Sequence, residues 1–327
     1  EQAQGDPYHQ GAIETCCTIA WLALSVDMLK QSGDPVVADE LELSTWNSAL
    51  GLFSPSGRWS TYDTPMDGFR RANFHDIVFQ ARPGSPELNC CSVNAARGLG
   101  LVSQWALLSD PASGGLALNW YGAGKLTGRL KGGAPVRLEL ETDYPRSGLV
   151  RIKIGLDRPL RFPLALRIPQ WSTATKLTVA GEEASDVKPA SYHVIDREWK
   201  GGDVVELALD TSPRIWVGEK AYEGRASVYV GPILLTYDPR LNDDGPDDPA
   251  PIDPRSIRVL PADAWTGATP PIVLAEAKTA DGGTVKLCDF ATAGADGSHY
   301  RSWLRVEHAS PTPFSREHTF RSGPPAE

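Results

Sequence analysis

The pattern of apolar and polar positions changes about a third of the way along the chain. Before residue 110 apolar residues come in long runs or at helical spacing. After it they come in short runs, many alternating with polar residues. ETCCTIAWLALSVDMLKQSG, residues 14–33, is an apolar run closed by Gly33, a residue suited to the left-handed turn that ends helices. Asp34 and Pro35 then stand as N-cap and first residue of a second helix. Val36, Val37, Leu41, Leu43, Trp46 and Leu50 supply its apolar face, and Gly51 ends it. The short link of Gly33 and Asp34 predicts antiparallel neighbours. SPSGRWSTYDTPMDGFRRANF, residues 54–74, is a polar loop marked by glycine and proline, of a length that is usually functional or disordered. A third helix is predicted after it in SVNAARGLGLVSQWALL, residues 92–108, starting near Ser92 or Asn94.

Beyond residue 110 the runs GLALNWYG, VRLELETDY, GLVRIKIGL, FPLALRIP, KLTVAG, SYHVID and DVVELAL are punctuated by Gly, Pro and Asp, which predicts an antiparallel sandwich. A second set follows in ASVYVGPILLTYD, SIRVLP, PIVLAEAKT, TVKLCDF and YRSWLRVEH. The acidic, proline-rich LNDDGPDDPAPIDP has no recognisable calcium-ligand spacing and reads as a solvated loop. The tail SPTPFSREHTFRSGPPAE is expected to be poorly ordered. The chain therefore reads as an α + β multidomain protein: a helical part over 1–108, a β-sandwich domain over 109–213 and a second over 214–327. Three helices are too few to close a toroidal bundle, so the helical part is expected to be the end of a larger all-α domain.

Composition narrows the partners. A chain of 327 residues exceeds what one core organises. The net charge of -9 comes without a Lys/Arg cluster, which argues against nucleic acid. No run of about 18 apolar residues offers a membrane span. A neutral partner is expected, and the sequence carries no signal of oligomeric state. No G-x-S-x-G elbow, phosphate loop or H-E-x-x-H motif is present.

The five cysteines stand as two doublets and a singleton: Cys16, Cys17, Cys90, Cys91 and Cys288. This is not a disulfide framework; it fits free thiols in a reducing compartment, hence a cytoplasmic expectation, or a metal site. Glu14 and Cys16, two apart before a helix, can face one side. With Cys90 and Cys91 they can supply one carboxylate oxygen and three sulfurs, a set that zinc accepts. Buried core packing is the competing explanation, since free cysteine often behaves as a small hydrophobe. Cys17 and Cys288 read as core.

ETC at the head of an apolar helix, followed by NCC with an asparagine three residues beyond, resembles glycoside hydrolase family 127, the β-L-arabinofuranosidases and their relatives. The similarity takes in SGDPVVADELELSTWNSALG and NCCSVNAARGLG, is strongest over residues 14–98, and extends to helices followed by sheets. It implies an (α/α)6 barrel, of which this chain would hold the C-terminal portion, followed by two antiparallel β-sandwich domains. It also implies a carbohydrate substrate and Zn2+ bound by Glu14, Cys16, Cys90 and Cys91. Cys90 would be the nucleophile, and Glu1, 13 residues before Glu14, the candidate acid/base. Half a barrel alone would have little activity. His9, His75, Trp59 and Tyr62 lie in loop-like segments and can approach a sugar. Ser92 and Val93 stand where the family often has prolines, and Cys17 where it usually has another small residue, which marks a divergent branch. The alternative, from another class, is a non-catalytic carbohydrate-binding or structural protein with a structural zinc or a buried-cysteine core.

Overall fold

The computed structural model describes residues 13–54, 57, 60–70, 90–110, 112–265, 270–295 and 297–307. Glu1, His9, Trp59, His75 and the tail beyond 307 lie outside the described residues. The described chain is mixed α and β, with few helices and many strands. It divides into two compact units, one drawn from 1–20, 44–99 and 212–327 and the other from 21–43 and 100–211. No described helix is long and apolar enough to cross a membrane.

The helix signals act as the sequence predicts. Helix α1 (Thr15–Ser32) stops where Gly33, at φ +63°, donates to the Leu29 carbonyl. Helix α2 (Pro35–Leu43) starts where the Asp34 carboxylate accepts from the Val36 amide at 2.9 Å. It does not continue regularly to Gly51. A π-helical segment, Ser44–Ala49, and a 3-10 turn, Leu50–Leu52, take over. Helix α3 (Cys90–Gly100) begins at the cysteine doublet rather than after it, so both thiols fall in its first turn. Residues 107 and 108, assigned to that helix by their apolar character, instead open the strand Leu107–Ser109.

In the second unit, a six-stranded sheet runs in the order Glu182–Glu183, Lys176–Val179, Val204–Ala208, Leu149–Gly155, Pro135–Thr142, Gly124–Arg129. Val136, Leu138, Leu140, Val150, Ile152, Ile154, Val205 and Leu207 alternate with exposed or half-exposed neighbours and are buried, the period-two pattern of a sheet with one wet face. A four-stranded sheet runs Ser191–Trp199, Leu160–Ile168, Leu116–Leu118, Leu107–Ser109. Its Leu116–Leu118 and Leu160–Ile168 pair is parallel, a departure from the all-antiparallel expectation. Arg167, in the second of these strands, is buried and ion-paired to Asp39 and, at 2.8 Å, to Glu42, both on α2. Tyr144 donates to Glu42 at 2.6 Å and the Gln170 amide to Asp39 at 2.8 Å. Burial alone would discharge Arg167, but Glu42 and Asp39 outweigh it and hold its pKa well above the usual value.

In the first unit, a nine-stranded sheet has the backbone order Arg214–Val217, Arg225–Val230, Ile233–Tyr237, Thr284–Asp289, Leu274–Lys278, Arg258–Val259. Its core includes Val228, Val230, Ile233, Leu235, Ile252, Val273, Leu287 and Leu304. The helical part is tied to it directly. Asn47, in the π segment, donates to the Pro232 carbonyl and accepts from the Leu234 amide, each at 2.8 Å. Asp67–Phe69, inside the predicted loop, forms a strand with His299–Arg301. Buried Arg70 donates to the carbonyls of Gly51, Phe290 and Ala293. The acidic loop is less free than its composition suggests: Arg225 forms a two-pronged pair with Asp248, at 2.8 and 3.0 Å. Cys288 is buried, as expected.

Candidate metal centre

Glu14, Cys16, Cys90 and Cys91 meet in the first unit, with one ligand-type atom from each lying within 4.8 Å of all the others. Two separate stretches deliver them. Glu14 ends a short strand, Ile13–Glu14, that pairs antiparallel with Asp63–Thr64. Thr15 then fixes the turn into α1, its amide donating to the Tyr62 carbonyl at 2.9 Å and its hydroxyl to the Thr61 carbonyl at 2.7 Å. This places Cys16 in the first turn of α1, just as Cys90 and Cys91 occupy the first turn of α3. Both helices therefore present their N-terminal ends, the positive ends of their dipoles, to the cluster, which favours anionic sulfur and carboxylate. Gly98 lets the two helices approach: a Cβ there would stand 2.4 Å from Ile19 Cδ1.

The sulfurs of Cys16 and Cys91 are 3.6 Å apart and those of Cys90 and Cys91 3.9 Å. Cys91 Sγ is 3.9 Å from Glu14 Oε1. Cys91 is fully buried while Cys90 is exposed. Burial pushes the Cys91 thiol far up, and the neighbouring Cys16 adds to this. Cys16 is also raised, first by burial, against the opposing effect of a hydrogen bond from Asn94. Without a cation, burial favours the protonated thiols of Cys16 and Cys91; a divalent ion reverses that balance. The four groups can hold a metal.

Cys17 is not a core residue. It is exposed, and its thiol donates to Glu14 Oε2 at 3.4 Å, because it follows Glu14 by three residues at the start of a helix. Tyr62 is 8% exposed, which leaves little of its ring for a ligand, and its carbonyl lies 4.0 Å from Cys91 Sγ. The sequence also gave no role to Asn94, whose side-chain amide lies 3.2 Å from Cys16 Sγ. The available signal was its spacing, three and four residues beyond the doublet on one helix face.

Comparison with known proteins assigns the chain to a family. The family model of the beta-L-arabinofuranosidase GH127 catalytic domain matches residues 2–104, and that of the GH127 middle domain matches 115–211, together more than half of the chain. The chain belongs to glycoside hydrolase family 127. Among solved structures it is similar to one titled "Glycoside hydrolase", at 25% identity and TM-score 0.75, covering 91% of this chain and 52% of that one. The GH127 beta-L-arabinofuranosidase Ara127N-Se from Geobacillus stearothermophilus T6 matches at 19% identity and TM-score 0.76, covering 94% and 52%. The GH127 beta-arabinofuranosidase BT3674 matches at 21% identity and TM-score 0.73, covering 94% and 51%. The chain thus spans about half the length of each of these structures. No curated protein matches.

Proposed function

We propose that this family 127 chain carries the zinc centre and the cysteine nucleophile of a retaining glycoside hydrolase acting on furanosides such as β-L-arabinofuranosides. The observation that carries the reading is the convergence of Glu14, Cys16, Cys90 and Cys91 on one point. Zinc–sulfur bonds of about 2.3 Å set tetrahedral S···S edges of about 3.8 Å. The separations of 3.6 and 3.9 Å fit such a set. Three sulfurs and one carboxylate also suit zinc better than a hard cation such as calcium or magnesium. In this reading the part over 1–108 belongs to an (α/α)6 barrel, and 109–213 and 214–327 are β-sandwich domains. The free thiols suit a reducing, cytoplasmic setting.

Zinc, held by these four residues, would keep the sulfurs ionised at neutral pH. The sulfurs then divide the work by exposure. Cys91, buried, anchors; Cys90, exposed, faces the substrate. Cys90 Sγ attacks the anomeric carbon, forming a C–S bond as the glycosidic C–O bond breaks. An acid, for which Glu1 is the candidate, gives its proton to the leaving oxygen. Water activated by the same group then displaces Cys90, and the sugar leaves with net retention.

The test is covalent capture. A cysteine-directed arabinofuranose mimic should modify Cys90, as read by mass spectrometry of the intact protein and its peptides. Modification at Cys17 or Cys288 alone, or at no cysteine, contradicts the nucleophile assignment. Labelling at Cys90 also separates this reading from a purely structural zinc site.

A further inference from the structure

The three sulfurs come from two helices, with Cys16 and Cys91 75 residues apart in sequence. Something must hold the sulfur on α1 in register with the two on α3. Asn94 lies on α3, half-buried, on the face that also carries Cys90 and Cys91, and its amide nitrogen reaches across to Cys16 Sγ at 3.2 Å. A carboxamide N–H suits this position because a ligating thiolate can only accept, and a neutral donor satisfies it without adding a charge that would compete with the metal.

We propose that Asn94 is a positioning residue of the metal centre, which fixes Cys16 Sγ from the partner helix and leaves Cys90 free to react. The inference rests on the zinc reading above. It predicts an asymmetry: the sulfur that receives the Asn94 bond is a pure anchor, while the proposed nucleophile receives no bond from Asn94. A hydrogen bond to Cys90 would instead blunt it.

The full chain is prepared as wild type and as Asn94→Leu, Asn94→Asp and Asn94→Gln. Zinc affinity is measured by competition with a chromophoric chelator, and cobalt(II) loading by the thiolate-to-cobalt charge-transfer band. Metal-free thermal stability is recorded for each. Loss of an outer-shell partner costs about 10- to 100-fold in metal affinity. Asn94→Leu should therefore bind zinc about tenfold more weakly, and Asn94→Asp, which sets a carboxylate against a thiolate, about 100-fold more weakly. Asn94→Gln, keeping the amide, should recover part of the loss, and the cobalt band should shift in the Leu variant. If every variant binds zinc within about threefold of wild type, the positioning role is wrong and the metal site stands. If Leu and Asp lose affinity equally and only in proportion to a lower metal-free melting temperature, Asn94 is merely structural and the inference is overturned. A wild-type protein that binds no zinc overturns the underlying reading together with this one.

Discussion

Arg167 and Glu14 stand at the centres of two polar clusters built on different plans. Around Arg167, in the second unit, two carboxylates meet a guanidinium that is wholly buried with them, and Tyr144 and the Gln170 amide donate to what remains. The guanidinium supplies a counter-charge within the protein, and burial pushes the Asp39 carboxyl up to about 7, which eases the remaining negative charge. Around Glu14, in the first unit, a carboxylate and three thiols gather at two helix N-termini, and among the described residues no lysine or arginine pairs with them. A buried cluster that contains its own counter-charge holds a fold together. One that collects acceptors without a counter-charge can hold a cation from outside.

The largest effect should come from breaking the ion-paired cluster. Arg167→Met leaves Asp39 and Glu42 buried and uncompensated, and denaturant unfolding should show a loss of about 3–5 kcal/mol. Adding Asp39→Asn and Glu42→Gln should return part of it. A loss under about 1 kcal/mol for Arg167→Met would mean the pair is as weak as a surface salt bridge.

The thiol cluster should respond oppositely, to metal rather than to charge balance. Saturating zinc should stabilise the wild type by about 2.7 kcal/mol at a hundredfold excess over its dissociation constant. Cys91→Ser and Glu14→Ala should lose most of that gain while changing metal-free stability far less. Equal thermal shifts in all three proteins would show zinc acting elsewhere.

A pH series sharpens the same contrast. The thiols of Cys16 and Cys91 are raised in the folded protein, chiefly by burial, and metal takes their thiolate forms. Protons therefore compete with the metal, and apparent zinc affinity should weaken as pH falls, by about tenfold per pH unit for each proton displaced. A flat profile between neutral and mildly acidic pH would contradict thiolate ligation. The smallest effect is expected at Cys17. Its contact to Glu14 is exposed, so Cys17→Ser should keep stability within about 0.5 kcal/mol and leave metal content unchanged.

The two clusters were not equally legible in the sequence. Cys90 and Cys91 announced themselves because adjacent cysteines are uncommon and Glu14 and Cys16 formed a matching pair upstream. Arg167 did not: it shares a strand with Arg161, which is exposed, and nothing local says which arginine turns inward. That choice is made by Asp39 and Glu42, 128 and 125 residues away. Local punctuation was read well where a single residue decides it, as at Gly33 and the Asp34 cap. It failed where tertiary contacts decide. The π segment over Ser44–Ala49 positions Asn47 for the strand edge at Pro232 and Leu234, and Asp67–Phe69 becomes a strand only because His299–Arg301 offers it a partner. Cys17 looked like core because free cysteine often packs as a small hydrophobe, yet the helix start turns it outward beside Glu14.

The most direct measurement is zinc K-edge X-ray absorption on the zinc-loaded chain. Ligation by Glu14, Cys16, Cys90 and Cys91 predicts three sulfur scatterers at about 2.3 Å and one oxygen at about 2.0–2.2 Å, with one sulfur lost in Cys91→Ser. A shell of nitrogen and oxygen alone, or a protein that retains no zinc, would contradict it.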